Sequence, residues 1–155
     1  MSAGAHIASF NLGRLVAPCD DPAVAGFVDN VERVNALAAL SPGFVWRADD
    51  TRLAAAFAAG VLPADDRLAA TLAVWESVEA LRRFVHRTLH GRFLARRALW
   101  FEPAEGPSHV MWPVPRDHRP GVAEAVNRLE RLARHGAGPD AFDWTYAEQP
   151  SAPAA

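Results

Sequence analysis

The hydrophobic pattern begins with a run of apolar and small residues from Ile7 to Val16 that has no helical period and stops at Pro18 and the Asp20-Asp21-Pro22 cluster. This reads as a first strand and a turn. Asp21 and Pro22 have the residue types of an N-cap and a first helical position. Val24, Phe27, Val28, Val31, Val34 and Ala38 follow at spacings of three and four, so one helix face is apolar until Ser41-Pro42-Gly43 ends it. Phe44 to Arg47 then predicts a short second strand. Between Thr51 and Asp66 alanines favour helix while Gly60 and Pro63 oppose a long one, and the segment takes no assignment.

Leu68 to Trp75 predicts a third strand, and Ser77 caps a helix carrying Val78, Leu81, Phe84, Val85 and Leu89 on one side. The apolar pattern runs on through Phe93, Leu94, Trp100 and Phe101, with a break near Gly91, and stops at Pro103 and Gly106-Pro107. His109 to Val114 predicts a fourth strand, and Pro113 within it suits an edge or bulged position. Pro120 opens a further helix with Val122, Ala125, Val126, Leu129 and Leu132 inward, the pairs Glu124-Arg128 and Glu130-Arg134 outward, and Gly136 at its end. Phe142 to Tyr146 predicts a last short strand, and residues 149–155 a frayed Pro/Ala tail.

The first six elements of this order spell a split βαβ or ferredoxin-like unit, an α+β fold with a four-stranded antiparallel sheet and helices on one face. The strands are apolar on both faces: Phe10 and Leu12 alternate with Ile7 and Leu15, and Leu72 and Val74 with Ala73 and Trp75. The face without helices must be buried against something, so a sheet-to-sheet homodimer is expected. With 155 residues, the chain has room for one domain, taken as residues 1–148.

Composition narrows the function classes. At 50% hydrophobic and 22% charged residues the chain is not a disordered one, and no apolar stretch is long enough to cross a bilayer. A net charge of −2 provides no long-range attraction to nucleic acid. The single cysteine, Cys19, excludes an intrachain disulfide and a zinc site built from several thiolates. The N-terminus lacks the basic flank and apolar core of a secretory signal, so a cytoplasmic location is expected. Gly-rich phosphate loops, HExxH and nucleophile elbows do not occur, which speaks against nucleotide-dependent chemistry.

His86 and His90 stand four apart on a predicted helix, a spacing that could hold a metal. A third ligand is not evident and Arg82, Arg83, Arg87 and Arg92 repel cations there, so no metal site is expected. Six arginines fall between Arg82 and Arg97. Arg97, with Phe93, Leu94 and Trp100 at helical spacings around it, is the candidate anchor for an anionic, aromatic ligand, and Trp100 a contact beside it. Asn is depleted in strands, so Asn11 is either paired or functional. Trp46 and Trp112, both on strands, are the indoles chosen to line a cavity; core packing explains most of the other tryptophans. His118-Arg119-Pro120 reads as a cap of the last long helix.

Five separated segments carry a family resemblance: FNLGRL from Phe10 to Leu15, SPGFVWR from Ser41 to Arg47, VWESVEALRRFV from Val74 to Val85, HGRFLARRALWFEP from His90 to Pro103, and VPRDHRPGVAEAVNRLERL from Val114 to Leu132. Together they resemble the DUF3291 family. Through it the chain is similar to the dimeric α+β barrel superfamily of antibiotic-biosynthesis monooxygenases, haem-degrading monooxygenases and haem enzymes, with Trp75-Glu76-Ser77 as the shared mark. The resemblance implies a small-molecule enzyme, monooxygenase-like or otherwise acting on an aromatic or polyketide-type metabolite in a pocket between sheet and helices. His90 would then be general base, with Asn11 the counterpart of an Asn used by haem degraders. Phe84 stands where the monooxygenases often carry a His, so neither mechanism transfers directly. Two alternatives stay open: a haem protein with His90 or His86 as axial ligand, and a non-catalytic small-molecule-binding module.

Overall fold

In the computed structural model, which describes residues 5–87 and 96–149, four strands form one antiparallel sheet: β1 His6–Arg14, β2 Phe44–Arg47, β3 Leu68–Trp75 and β4 His109–Val114. Their order is β2-β3-β1-β4, so the two central strands are the first and the third in sequence, as in a ferredoxin-like α+β fold. β4 is an edge strand, where the missing N–H of Pro113 is tolerated. Ladder contacts are strict along β1: Asn11 stands opposite Thr71 on one side and His109 on the other.

Local chemistry sets the helices. Asp21 accepts from the Ala23 N–H at 2.8 Å and starts a 3₁₀ turn at Pro22–Val24. The helix expected from there to Ala38 is divided into α1 Ala25–Val28 and α2 Val31–Ala39. At the division Asn30 donates its side-chain amide to the Gly26 carbonyl at 3.0 Å, a local bond that competes with the helix ladder. The segment without an assignment forms α3, Asp50–Ala58, capped by Asp49 through the Arg52 N–H at 2.9 Å. Gly60, at φ 76°, and Pro63 fall beyond its end, so the alanines decide its structure.

Ser77 caps α4, Val78–Arg87, by accepting from the Ala80 N–H at 3.1 Å. α5 is Arg97–Trp100, and α6 is Val122–His135, closed by Gly136 at φ 75°. The last expected strand is instead a single bridge, Phe142 to Met111, followed by the one-turn helix α7, Trp144–Ala147, which Asp143 caps through the Tyr146 N–H. The break near Gly91, Phe93, Leu94 and residues 150–155 of the tail lie outside the described residues.

Helices cover both faces of the sheet, not one. Ile7, Ala73, Trp75 and Met111 pack under α2 and α4 through Val34, Ala38, Leu81, Phe84 and Val85. On the opposite face Ala8, Phe10, Leu72, Val74, Val110 and Trp112 pack against Ala56 of α3 and Val122, Ala125 and Leu132 of α6. Phe10, Leu72, Val74, Val110 and Trp112 are all 0% exposed in a single chain. Full burial of side chains of this size contributes about 1.5–3 kcal/mol each. The two-sided apolar patterning is therefore satisfied by the chain's own α3 and α6, and it no longer argues for a sheet-to-sheet homodimer.

The outward pair Glu124-Arg128 is replaced by other partners. Glu124 accepts from the Trp112 indole N–H at 2.9 Å and holds the His118 Nε2 at 2.7 Å, while Arg128 donates to the Asp140 carbonyl at 2.8 Å. A buried indole needs an acceptor, and Glu124 supplies it from the first turn of α6.

Candidate functional site

Alternation along the strands directs Ser9, Asn11 and Gly13 of β1, Ala69, Thr71, Ala73 and Trp75 of β3, and His109 of β4 toward α2 and α4. Gly13, Ala69 and Ala73 are too small to fill the space between sheet and helices. A cavity of about 160 Å³ remains, walled by Phe27, Phe44, Phe84, Phe101 and Trp144 and bordered by Asn35 of α2. Among the described residues, no side chain lining it is Asp or Glu.

The polar groups lie at two places. At one, Ser9 Oγ is 2.8 Å from His109 Nε2, with Asn11 and Thr71 in the same cross-strand row as the histidine. The His109 ring stacks on the Trp144 indole, 5.7 Å between centroids and 25° between planes. Packing on an indole and a hydroxyl partner together fix the imidazole's orientation.

At the other, Arg97 extends from α5 across the end of β1. Its guanidinium carbon lies 4.5 Å from the Phe101 ring centroid, and Nη2 donates to Ser108 Oγ at 3.4 Å. A Cβ on Gly13 would come within 2.7 Å of Phe101 Cδ1 and 3.1 Å of Arg97 Nη2, so glycine is what allows both groups to lie against the strand. Arg97 is half-buried, and burial pulls its pKa below the ordinary value. A guanidinium stays charged through such a shift, so the cavity holds a partly desolvated cation. Arg47, from β2, also lines the cavity and donates to the Ala48 carbonyl at 3.1 Å.

An ion-pair network fixes the segment after α5. Glu102 donates its backbone N–H to the Arg14 carbonyl at 2.8 Å, and Arg14 pairs with Asp65 at 2.8 Å and with Glu102 at 3.0 Å. The Asp65 carboxyl is held below the usual carboxylate range, first by the Arg67 backbone N–H and then by the Arg14 side chain.

Among the candidates read from sequence, Asn11 and Arg97 line this cavity. Trp100 is buried beside Phe27, 6.0 Å between ring centroids, and backs that wall without lining the space. Trp46 and Trp112 lie on the opposite face. A bulge between Phe44 and Trp46 breaks the alternation of β2, so Phe44, opposite Trp75, and Arg47, opposite Ala73, face the cavity while Trp46, opposite Val74, faces the other core. Trp112 shares the face of Phe10 and is bonded to Glu124. His86 is exposed, with its ring centroid 6.1 Å from that of Trp144, and lies outside the lining. His90 lies outside the described residues, as does Arg92.

As lined by the described residues, the cavity is too small to enclose a haem. A space of about 160 Å³ is close to the roughly 150 Å³ that accommodates a benzene ring, several-fold short of a porphyrin. Among the described residues His109 is the histidine that lines it, and its Nε2 is 2.8 Å from Ser9 Oγ. Among the described residues no three His, Cys, Asp or Glu side chains converge as metal ligands, and no helix is long and apolar enough to cross a membrane.

Ser9, Asn35, His109 and Trp144 were not among the sequence candidates. Asn35 had a visible signal, since it follows Val31 by four residues on the apolar face of α2. His109 had a weaker one: it opens a strand that ferredoxin-like topology places beside Asn11, but the register that aligns the two is not written in either segment.

No curated protein sequence matches the chain. Among solved structures it is similar to SnoaB, a cofactor-independent oxygenase from Streptomyces nogalater, at 17% identity and a TM-score of 0.48, over 75% of this chain and 98% of that one. A family model described as a domain of unknown function, DUF3291, matches residues 6–155, and the chain belongs to the DUF3291 family.

Proposed function

We propose that the chain is a small-molecule enzyme whose sheet–helix cavity takes an anionic aromatic compound, with Arg97 receiving the anion and the Ser9–His109 pair handling a proton. The observation that carries this reading is the half-buried Arg97 guanidinium facing a cavity in whose lining, among the described residues, there is no carboxylate. A partly desolvated cation without an acidic partner at its own site is matched by an anion from outside. Aromatic walls supply the apolar contact of a ligand pocket, and a few convergent polar groups supply orientation.

Imidazole is the side-chain type that moves protons near neutral pH, and His109 brings one to the cavity. The monooxygenase-like form of the reaction, which the family resemblance implies, fits a proton acceptor here. Removing a proton makes an aromatic substrate electron-rich, and dioxygen reacts with such an anion far more readily than with the neutral compound. Asn11 and Thr71, in the row of His109, would hydrogen-bond the substrate oxygen whose proton is removed.

The test is native mass spectrometry of the protein as purified, followed by incubation of the retained compound in air with wild type and His109→Gln. Conversion by wild type that is lost in the variant is expected. Recovery of the compound unchanged from wild type contradicts the enzyme reading and leaves a binding module.

A further inference from the structure

We infer that the substrate of this site is a one-ring aromatic acid carrying a second polar substituent at the opposite end of the ring, of the para-hydroxybenzoate type. The inference rests on the proposed cavity function and narrows it through size, charge and spacing. Size comes first: the enclosed space of about 160 Å³ matches a single aromatic ring with small substituents better than the fused rings of a polyketide-type metabolite. The floor of Ala69, Thr71 and Ala73 is low enough for a planar ring to lie along β3.

Charge then orients the ring. Arg97 stands over Gly13, and the planar fork of a guanidinium matches a carboxylate in two parallel bonds. The second polar place lies two residues back along β1, where Asn11 is aligned with His109. From Gly13 to Ser9, the partner of His109, four residues of antiparallel strand rise about 14 Å, which leaves room for one ring with a hydrogen bond at each of its ends. An ortho hydroxyl would point back toward Arg97 and leave the Ser9–His109 pair without a partner.

The experiment is a titration followed by tryptophan fluorescence, since Trp75 and Trp144 line the cavity. Four probes are compared on the wild-type chain: para-hydroxybenzoate, benzoate, para-hydroxybenzyl alcohol and a hydroxynaphthoate. Para-hydroxybenzoate is expected to bind one per chain, with benzoate and the alcohol each about tenfold weaker or more and the naphthoate failing to bind. Arg97→Gln is expected to abolish the preference for the acid over the alcohol. If the alcohol or the naphthoate binds wild type as tightly as para-hydroxybenzoate, the one-ring acid inference is overturned while the cavity reading stands. If none of the four binds, the cavity reading falls with it. The wild-type comparison decides the matter whether or not the variant folds.

Discussion

The Ser9 hydroxyl and the His109 imidazole, 100 residues apart in sequence, meet at 2.8 Å on the floor of the cavity because β1 and β4 pair antiparallel with Asn11 opposite His109. Ser9 is 4% exposed, the one buried polar residue of the sheet core among the described residues, and the histidine satisfies it. The pair is therefore both a packing element and the basic group of the proposed reaction. His109→Gln retains a hydrogen-bonding group for Ser9 and removes the titrating one. It is expected to lower turnover of the cavity substrate by about 10²- to 10⁴-fold with little change in stability, measured by steady-state kinetics alongside denaturant unfolding.

Gly13 determines how close Phe101 and Arg97 approach the sheet. In Gly13→Ala the added methyl group meets the Phe101 ring at 2.7 Å, and the ring must move with the guanidinium that stacks on it. The expected outcome is a loss of about 1–3 kcal/mol in stability together with weaker binding of aromatic acids. Gly43→Ala separates the two effects. It forces a Cβ into Ala80 at a backbone φ of 86°, so it should destabilise the turn before β2 without shifting acid-over-alcohol selectivity.

Trp112 tests the division between faces. Trp112→Phe removes the indole bond to Glu124 and leaves that carboxylate with His118. A cost of about 1–3 kcal/mol is expected in denaturant unfolding, with ligand affinity unchanged because the residue faces the α3–α6 core. A loss of affinity would place Trp112 at the site after all.

Acid sensitivity should have a component at Asp65. Its carboxyl is held below the usual range by the Arg67 backbone N–H and by Arg14, so the folded state binds its proton less readily than the unfolded chain does. This contribution is present above the ordinary carboxylate pKa of about 3.9 and is lost as pH falls through the lower folded value. Both partners are on the surface, so the effect is modest. In Asp65→Asn the unfolding midpoint should fall less steeply between pH 4 and lower pH than in wild type, measured as denaturant midpoint against pH.

The strands were the most legible part of the sequence. Phe44–Arg47, Leu68–Trp75 and His109–Val114 have the bounds that turn residues and β-branched or aromatic runs predict. α3 was not legible, because whether Gly60 and Pro63 interrupt a helix or follow it depends on where the Asp49 cap starts it. That element changes the larger picture, since together with α6 it covers the sheet face that the sequence pattern leaves for a partner. At the site, Asn11 and Arg97 stood out because each is out of character with its apolar neighbours. Trp46 was misplaced because a one-residue bulge reverses the faces of β2, and a bulge leaves no mark in four residues of sequence. His109 needed the β1–β4 register, a property of the assembled sheet.

The central claim is that an aromatic acid occupies the space between β1, β3, β4 and the helices above them, and the indole signals of the five tryptophans report on it directly. In a titration of the uniformly nitrogen-labelled chain with para-hydroxybenzoate, followed by proton–nitrogen correlation NMR, each indole N–H is assigned by single Trp→Phe substitutions. The account predicts that the Trp75 and Trp144 signals shift together and saturate at one ligand per chain, while those of Trp46 and Trp112 stay in place. Shifts at Trp46 and Trp112 with Trp75 and Trp144 unmoved would contradict it.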